Sequence, residues 1–264
     1  MINYFGTMNE RYPNILQSFG LFVIYTGVTF LLSFFTVSIP GSLGTFITTL
    51  STSGIALMLA LMLKQAHLSY LFGDNRQTSL ITYLLAGLFA ISMVITLDPV
   101  VSLIPMPDWF KEMILSIVKK DVYTYLTLAL VAPIGEELLF RKVMLTGLVK
   151  NYGVTRGILW SAFFFALFHL NPWQGISAFV IGIFLGWIYL KTGNIWLCIF
   201  VHFFNNTISF IGFYFSDDPF ATTLDYFSMT EYVILILISI ACMYFCVRTL
   251  QRHFAKTRYD AEKT

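Results

Sequence analysis

The sequence predicts an all-α polytopic membrane protein on three grounds. Of its 264 residues, 57% are hydrophobic and 11% are charged, against roughly 45–50% and about 25% in an average soluble domain. The apolar residues gather in runs close to the ~20 residues a helix needs to cross a bilayer. The basic residues fall mostly in every second connection between those runs.

Taken in order, eight runs qualify: 17–39, 43–63, 79–97, 122–150, 156–170, 173–190, 194–214 and 230–247. The fourth is long and interrupted and the fifth is short. Between the third and fourth, DWFKEMILSIVKK puts Phe110, Met113, Ile114, Ile117 and Val118 on one helical face, with Asp108, Lys111, Glu112 and Lys119 on the other. Two readings of this segment stand side by side: a helix lying in the membrane interface and a packed loop helix. With both termini cytoplasmic and Arg141 set aside, twelve of the remaining basic residues are inside. Only Lys111, Lys119 and Lys120 are outside, together with the acidic loop SDDPFATTLDYFSMTE. This asymmetry is the one the positive-inside rule requires. The N-terminal stretch MINYFGTMNERYPN has neither the positive region nor the short apolar region of a cleaved signal peptide. No repeat, linker or soluble domain interrupts the chain, so residues 1–264 are expected to form a single membrane-embedded domain in the cell membrane.

A net charge of +2 is too small to imply nucleic acid or another polyanion as partner. Membrane lipid is the expected surrounding. Cys198, Cys242 and Cys246 lie in apolar runs and are read as packing residues rather than as a disulfide or metal set. His67 and His253 fall in cytoplasmic segments near bases and are read as solvated. Asn205-Asn206-Thr207 has the form of a glycosylation sequon, but it lies inside a span that no glycan can enter.

Apart from the basic residues counted as inside, the ionisable residues within the spans are few: Glu136, Glu137, Arg141, His169 and His202, with Asn206 as a neutral companion. A charge at membrane depth costs about 2.5–3.5 kcal/mol on insertion scales, so each needs a partner or a task. Glu137 and Arg141 are four apart on a helix, with the carboxylate N-terminal to the cation, and are expected to pair. Glu136 is turned about 100° away and is left free to act. Pro133 and Gly135 loosen the helix just upstream, which at depth is tolerated only inside protein or beside a wet cavity. Asn171 as N-cap and Pro172 at the first helical position end one helix after His169 and start the next. His202 and Asn206, four apart, share a face. Counted from Lys150, Arg156 and Lys191 at about 1.5 Å per residue, Glu136, His169, His202 and Asn206 lie roughly 21, 20, 17 and 22 Å deep. Three helices therefore bring polar groups to one layer, and the expected architecture encloses an intramembrane active-site cavity there.

A carboxylate and a histidine converging on water act as general base and acid, and a second histidine with an amide makes an oxyanion hole. That set suits amide hydrolysis. No Ser or Cys stands beside a base, which points to attack by water rather than to a covalent intermediate. A transporter is a weaker reading, because the inverted repeat expected of one is absent.

Three motifs at these residues carry a resemblance. EELLFR (136–141), FALFH (165–169) and HFFNN (202–206) match the EExxxR, FxxxH and HxxxN patterns, and the order, of the CAAX protease and bacteriocin-processing (Abi, CPBP) family of intramembrane proteases. The motif core spans about 122–214. The resemblance implies that Glu136 with His169 activates water, that Glu137 and Arg141 brace the site, and that His202 and Asn206 hold the oxyanion. It implies a peptide or protein substrate at the membrane, prenylated or of bacteriocin type. The alternative it carries is a bacteriocin self-immunity or binding protein with little proteolysis. The family has also been described as metal-dependent, which makes Glu136, His169 and His202 a candidate Zn²⁺ set. The metal-free reading is preferred because it gives Asn206 a role.

Overall fold

The computed structural model describes residues 9–73, 76–216, 218 and 220–261, and side chains through residue 256. The first eight residues of the N-terminal stretch, Asp217 and Pro219 of the acidic loop, the Arg258 side chain and Lys263 lie outside this description. Among the described residues there are ten helices and no strand. They are α1 (Ile15–Thr36), α2 (Leu43–Lys64), α3 (Ser69–Phe72), α4 (Leu80–Ser102) and α5 (Asp108–Ile117). After these come α6 (122–152), α7 (Val154–Phe168), α8 (Pro172–Thr192), α9 (Ile195–Phe215) and α10 (Met229–Ala261).

Six of the ten, α1, α2, α4, α8, α9 and α10, are long and apolar enough to cross a membrane. The expected count of eight is corrected by the other two runs. At 15 residues, α7 is only about 22 Å long. The backbone of α6 is an alternation of α- and π-helical pieces, with π stretches at Leu126–Val131 and Leu138–Leu145, and it carries the charges that composition alone penalises. The third run also reaches further than expected, to Ser102, with Pro99 inside it.

The core forms around α6. Every residue from Leu138 to Leu145 is buried, against the α7–α8 hairpin on one side and α9 and α2 on the others. By contrast α1 and α10 expose Phe30, Phe34 and Leu237, the apolar surface expected where a helix meets lipid tails rather than protein. α10 packs along α4. At the start of α8, Trp173 Nε1 donates to the Ile104 carbonyl (3.0 Å) and its ring lies 4.5 Å from Phe110 of α5. Phe110 is the buried residue of α5, with Met113 and Ile117 left exposed, as in a helix lying along an interface.

Three basic residues expected at the solvated end of the bundle are more enclosed than their sequence positions suggested. Lys64 is 1% exposed and Nζ donates to the Tyr12 carbonyl (2.8 Å). Lys142 is buried, with Nζ donating to the Gly73 carbonyl (2.9 Å). His253, read as solvated, is half-buried, its Nε2 3.0 Å from Ser79 Oγ. Long side chains reach back over backbone that sequence position cannot foresee. All three cysteines are free thiols.

Candidate active site

The site begins with the irregular backbone of α6. Pro133 has no N–H, so no residue at that position can donate back up the helix. The Ala132 N–H bonds to the Thr127 carbonyl, five residues back. In that π register the carbonyl of Leu128 would be served by residue 133, which is the proline, and it is left open. Asn206 fills the gap: its Nδ2 donates to the Leu128 carbonyl at 2.8 Å. The second π stretch behaves alike, with Ser161 Oγ donating to the Phe140 carbonyl (3.0 Å) and Tyr70 Oη to that of Lys142 (2.7 Å). Side-chain donors from α7, α9 and α3 thus occupy the irregular helix at three points.

Glu136 and Glu137 lie between the two π stretches. Glu137 is fully buried, and its Oε1 is 2.9 Å from Arg141 Nη1, the pairing expected from their spacing. Arg141 is buried as well and makes no well-aligned hydrogen bond. Its guanidinium instead stacks over the Phe165 ring, 4.2 Å from the centroid. The spacing of the motif did not reveal the next link. His202 Nδ1 is also 2.9 Å from Glu137 Oε1, and since the carboxylate only accepts, Nδ1 carries the proton. Its other nitrogen, Nε2, faces Glu136 Oε2 across 3.8 Å, a gap too wide for a direct hydrogen bond. Arg141, Glu137, His202 and Glu136 therefore form one buried row that runs from α6 across α9 and back to α6.

His169 ends α7, where its Nδ1 donates to the Phe165 carbonyl (3.0 Å), leaving Nε2 as the basic nitrogen. Asn171 fixes this turn in two ways. It caps α8 by accepting from the Gln174 N–H (2.9 Å), and its Nδ2 donates to the His169 carbonyl (2.8 Å). Between them Leu170 has a left-handed φ of 54°, a conformation that costs a non-glycine residue energy. The Phe165 ring meets His169 and His202 edge-on, at 5.4 and 5.5 Å. It thereby holds both imidazoles and the guanidinium. Glu136 interacts electrostatically with both histidines.

The site residues read from the sequence thus fall into two levels. Glu136, Glu137, Arg141, His169 and His202 gather around Phe165. Asn206 lies one helical turn beyond His202, where it engages Leu128 and accepts from Asn205 Nδ2 (3.2 Å). One N–H of its amide remains for a further acceptor. Two residues that sequence reasoning missed come from the first hairpin. Tyr25 is buried within electrostatic reach of Glu136, and its hydroxyl is 3.2 Å from Ser53 Oγ. Ser53 in turn presses on Gly135, where an added Cβ would lie 2.5 Å from Ser53 Oγ. Gly135 therefore signalled close helix contact as well as a weak helix.

Cavities of about 990 and 550 Å³ open elsewhere, and none of the motif residues lines either of them. Among the described residues no three His, Cys, Asp or Glu groups stand close enough to hold a metal as arranged, while both histidines give Nδ1 to a protein acceptor and keep Nε2 free, the orientation that a metal-ligating histidine also takes. In chemical terms the site offers a carboxylate and a basic imidazole nitrogen in dry surroundings, backed by an ion pair.

In a comparison with known families, residues 118–208 fit the model described as type II CAAX prenyl endopeptidase Rce1-like. No curated protein and no solved structure matches the chain. The matched segment is about a third of the chain, and it contains all three motifs and both π stretches. Over this segment the chain is similar to the CAAX prenyl endopeptidases, in line with the resemblance its three motifs carry.

Proposed function

We propose that the protein is an intramembrane endopeptidase that hydrolyses a peptide bond of a membrane-associated substrate with water activated by Glu136 and His169. The observation that carries this reading is the buried row Arg141–Glu137–His202–Glu136, in which Glu137 neutralises Arg141 and Glu136 has no cation of its own on α6. Its Oε2 atom is buried without a hydrogen-bond partner. Such a carboxylate needs a proton donor, and a water molecule between Glu136 and the histidines supplies one.

In this reaction Glu136 takes a proton from the water as its oxygen attacks the scissile carbonyl carbon. The tetrahedral intermediate carries the negative charge on the former carbonyl oxygen. His202 and the remaining N–H of Asn206 donate to that oxygen. With Nδ1–H given to Glu137, His202 donates from Nε2 only when the ring carries both protons; the row then alternates in sign. The C–N bond breaks as the proton passes through Glu136 or His169 to the leaving nitrogen, releasing a carboxylate and an amine. No step is routed through a metal. The family description favours prenylated C-terminal CAAX peptides as the substrate class.

The test is turnover of a prenylated CAAX-type peptide by the full-length protein in vesicles. Glu136→Gln keeps the shape and loses the base, so turnover should fall by roughly 10²–10⁴ at an unchanged melting temperature. A variant with near wild-type turnover would remove Glu136 from the mechanism. A chelator should leave the wild type active; loss of activity together with a stoichiometric metal would make Glu136, His169 and His202 a metal site.

A further inference from the structure

Most of α1 faces lipid: of its 22 residues, Ser18, Leu21 and Tyr25 are buried. A tyrosine turned inward from an apolar helix brings a hydroxyl that needs a hydrogen-bond partner once it leaves water. For Tyr25 that partner is Ser53 Oγ of α2, at 3.2 Å. Both residues lie outside the segment 118–208 that matches the family model, and neither belongs to any of the three motifs.

Each end of the Tyr25 side chain leads to one of the two groups assigned to the attacking water. The ring meets the Phe168 ring edge-on, with centroids 4.3 Å apart and planes at 82°. Phe168 is the last residue of α7, directly before His169, and its own ring stands edge-on to Phe140 at 5.7 Å and to His169 at 6.3 Å. The hydroxyl holds Ser53, whose side chain fills the space that a Cβ on Gly135 would take, with Oγ 2.5 Å and Cβ 2.7 Å from that point. Gly135 directly precedes Glu136, which lies within electrostatic reach of Tyr25. Neither catalytic turn sits in regular helix. Glu136 lies between two π stretches, and His169 is followed by Leu170 in a left-handed conformation. Both turns therefore depend for their position on what packs against them.

We propose that Tyr25, together with Ser53, is a positioning residue for the reaction. Its hydroxyl, through Ser53, seats the turn that carries Glu136, and its ring, through Phe168, seats the turn that carries His169. The inference rests on the reading of Glu136 and His169 as the pair that activates water. Reacting groups are held to a fraction of an ångström, and a misplacement of about 1 Å costs on the order of 10² in rate. α1 is then part of the reaction geometry as well as a membrane helix.

The experiment is turnover of the prenylated CAAX-type peptide by the full-length protein in vesicles, with kcat and KM separated and a melting temperature recorded for each variant. A wild type without turnover, or near wild-type turnover in Glu136→Gln, overturns the reading of the site and this inference with it. With the wild type active and Glu136→Gln inactive, the remaining outcomes bear on Tyr25 alone. Tyr25→Phe keeps the edge contact with Phe168 and loses the bond to Ser53, so kcat should fall roughly tenfold at unchanged KM. Ser53→Ala loses the same bond from the other side and should match it. Because the two remove one interaction, the double variant should be no slower than either single one. Tyr25→Ala loses the ring as well; kcat should fall by roughly 10², and amide hydrogen exchange over residues 165–170 should be faster than in the wild type or in Tyr25→Phe. Wild-type kcat in Tyr25→Phe and Ser53→Ala overturns the proposal whatever their melting temperatures, since a purely structural hydroxyl would alter stability and leave kcat alone. A rise in KM at unchanged kcat overturns it too, by making Tyr25 part of the substrate's binding surface. So does unchanged exchange over 165–170 in Tyr25→Ala; should that variant not fold, the two hydroxyl variants decide.

Discussion

The protein holds positive charge in two places in opposite ways. At Arg141 the cation is fully buried between a counter-charge and an aromatic face: Glu137 at 2.9 Å and the face of Phe165 at 4.2 Å. At Arg76 and Lys191 the cations are exposed around a cavity, and among the described residues no ion pair takes them up. The first arrangement takes its counter-charge from within the chain. The second leaves its cations at an exposed surface. A charge that cannot reach water must have its counter-charge encoded in the sequence, whereas a charge at the interface can leave it to solvent and salt.

The comparison can be broken most forcefully at Arg141. Arg141→Ala strands a buried Glu137 carboxylate and should destabilise the protein by about 3–5 kcal/mol, read as a fall in melting temperature in detergent; an unchanged value would mean that water reaches the pair. Asn206→Ala should act on turnover instead, lowering it by about 10²–10³ if its N–H serves the oxyanion, with little change in KM. Gly135→Ala forces a Cβ against Ser53 and should cost roughly 1–3 kcal/mol. Adding Ser53→Gly should restore most of the loss, since both close contacts are to that side chain. Smallest of all, Arg76→Gln in a neutral detergent should move stability by no more than about 0.5 kcal/mol. A large loss there would show that Arg76 is a structural cation like Arg141.

These residues also mark what a linear reading can see. The Glu137–Arg141 pair was legible because it is local: four residues on one helix meet whatever surrounds them. The α7–α8 turn was legible for the same reason, and Asn171 and Pro172 hold the cap and first helical position expected of them. The bond from His202 to Glu137 spans 65 residues of sequence and depends on where α9 docks, so spacing within HFFNN carried no trace of it. Pro133 was seen to weaken its helix, but which carbonyl it would free depends on the π register, and which donor would answer depends on α9. Tyr25 and Ser53 were invisible, because a tyrosine or serine in an apolar run carries no charge that demands explanation. The count of eight failed where composition and length diverge. α7 is apolar enough but short, and α6 is long enough but charged.

That shortness sets a condition on the surrounding membrane. At 15 residues α7 covers about 22 Å of a hydrocarbon layer roughly 30 Å thick, and its outer flank, with Leu159 and Phe163 exposed, is where lipid meets it. The layer must thin there or be filled from the side by the apolar face of α5, at fractions of a kcal/mol per Å of mismatch. Thinning there would bring headgroup water nearer the turn that carries His169, and acyl-chain length would then become a variable of the protein's chemistry.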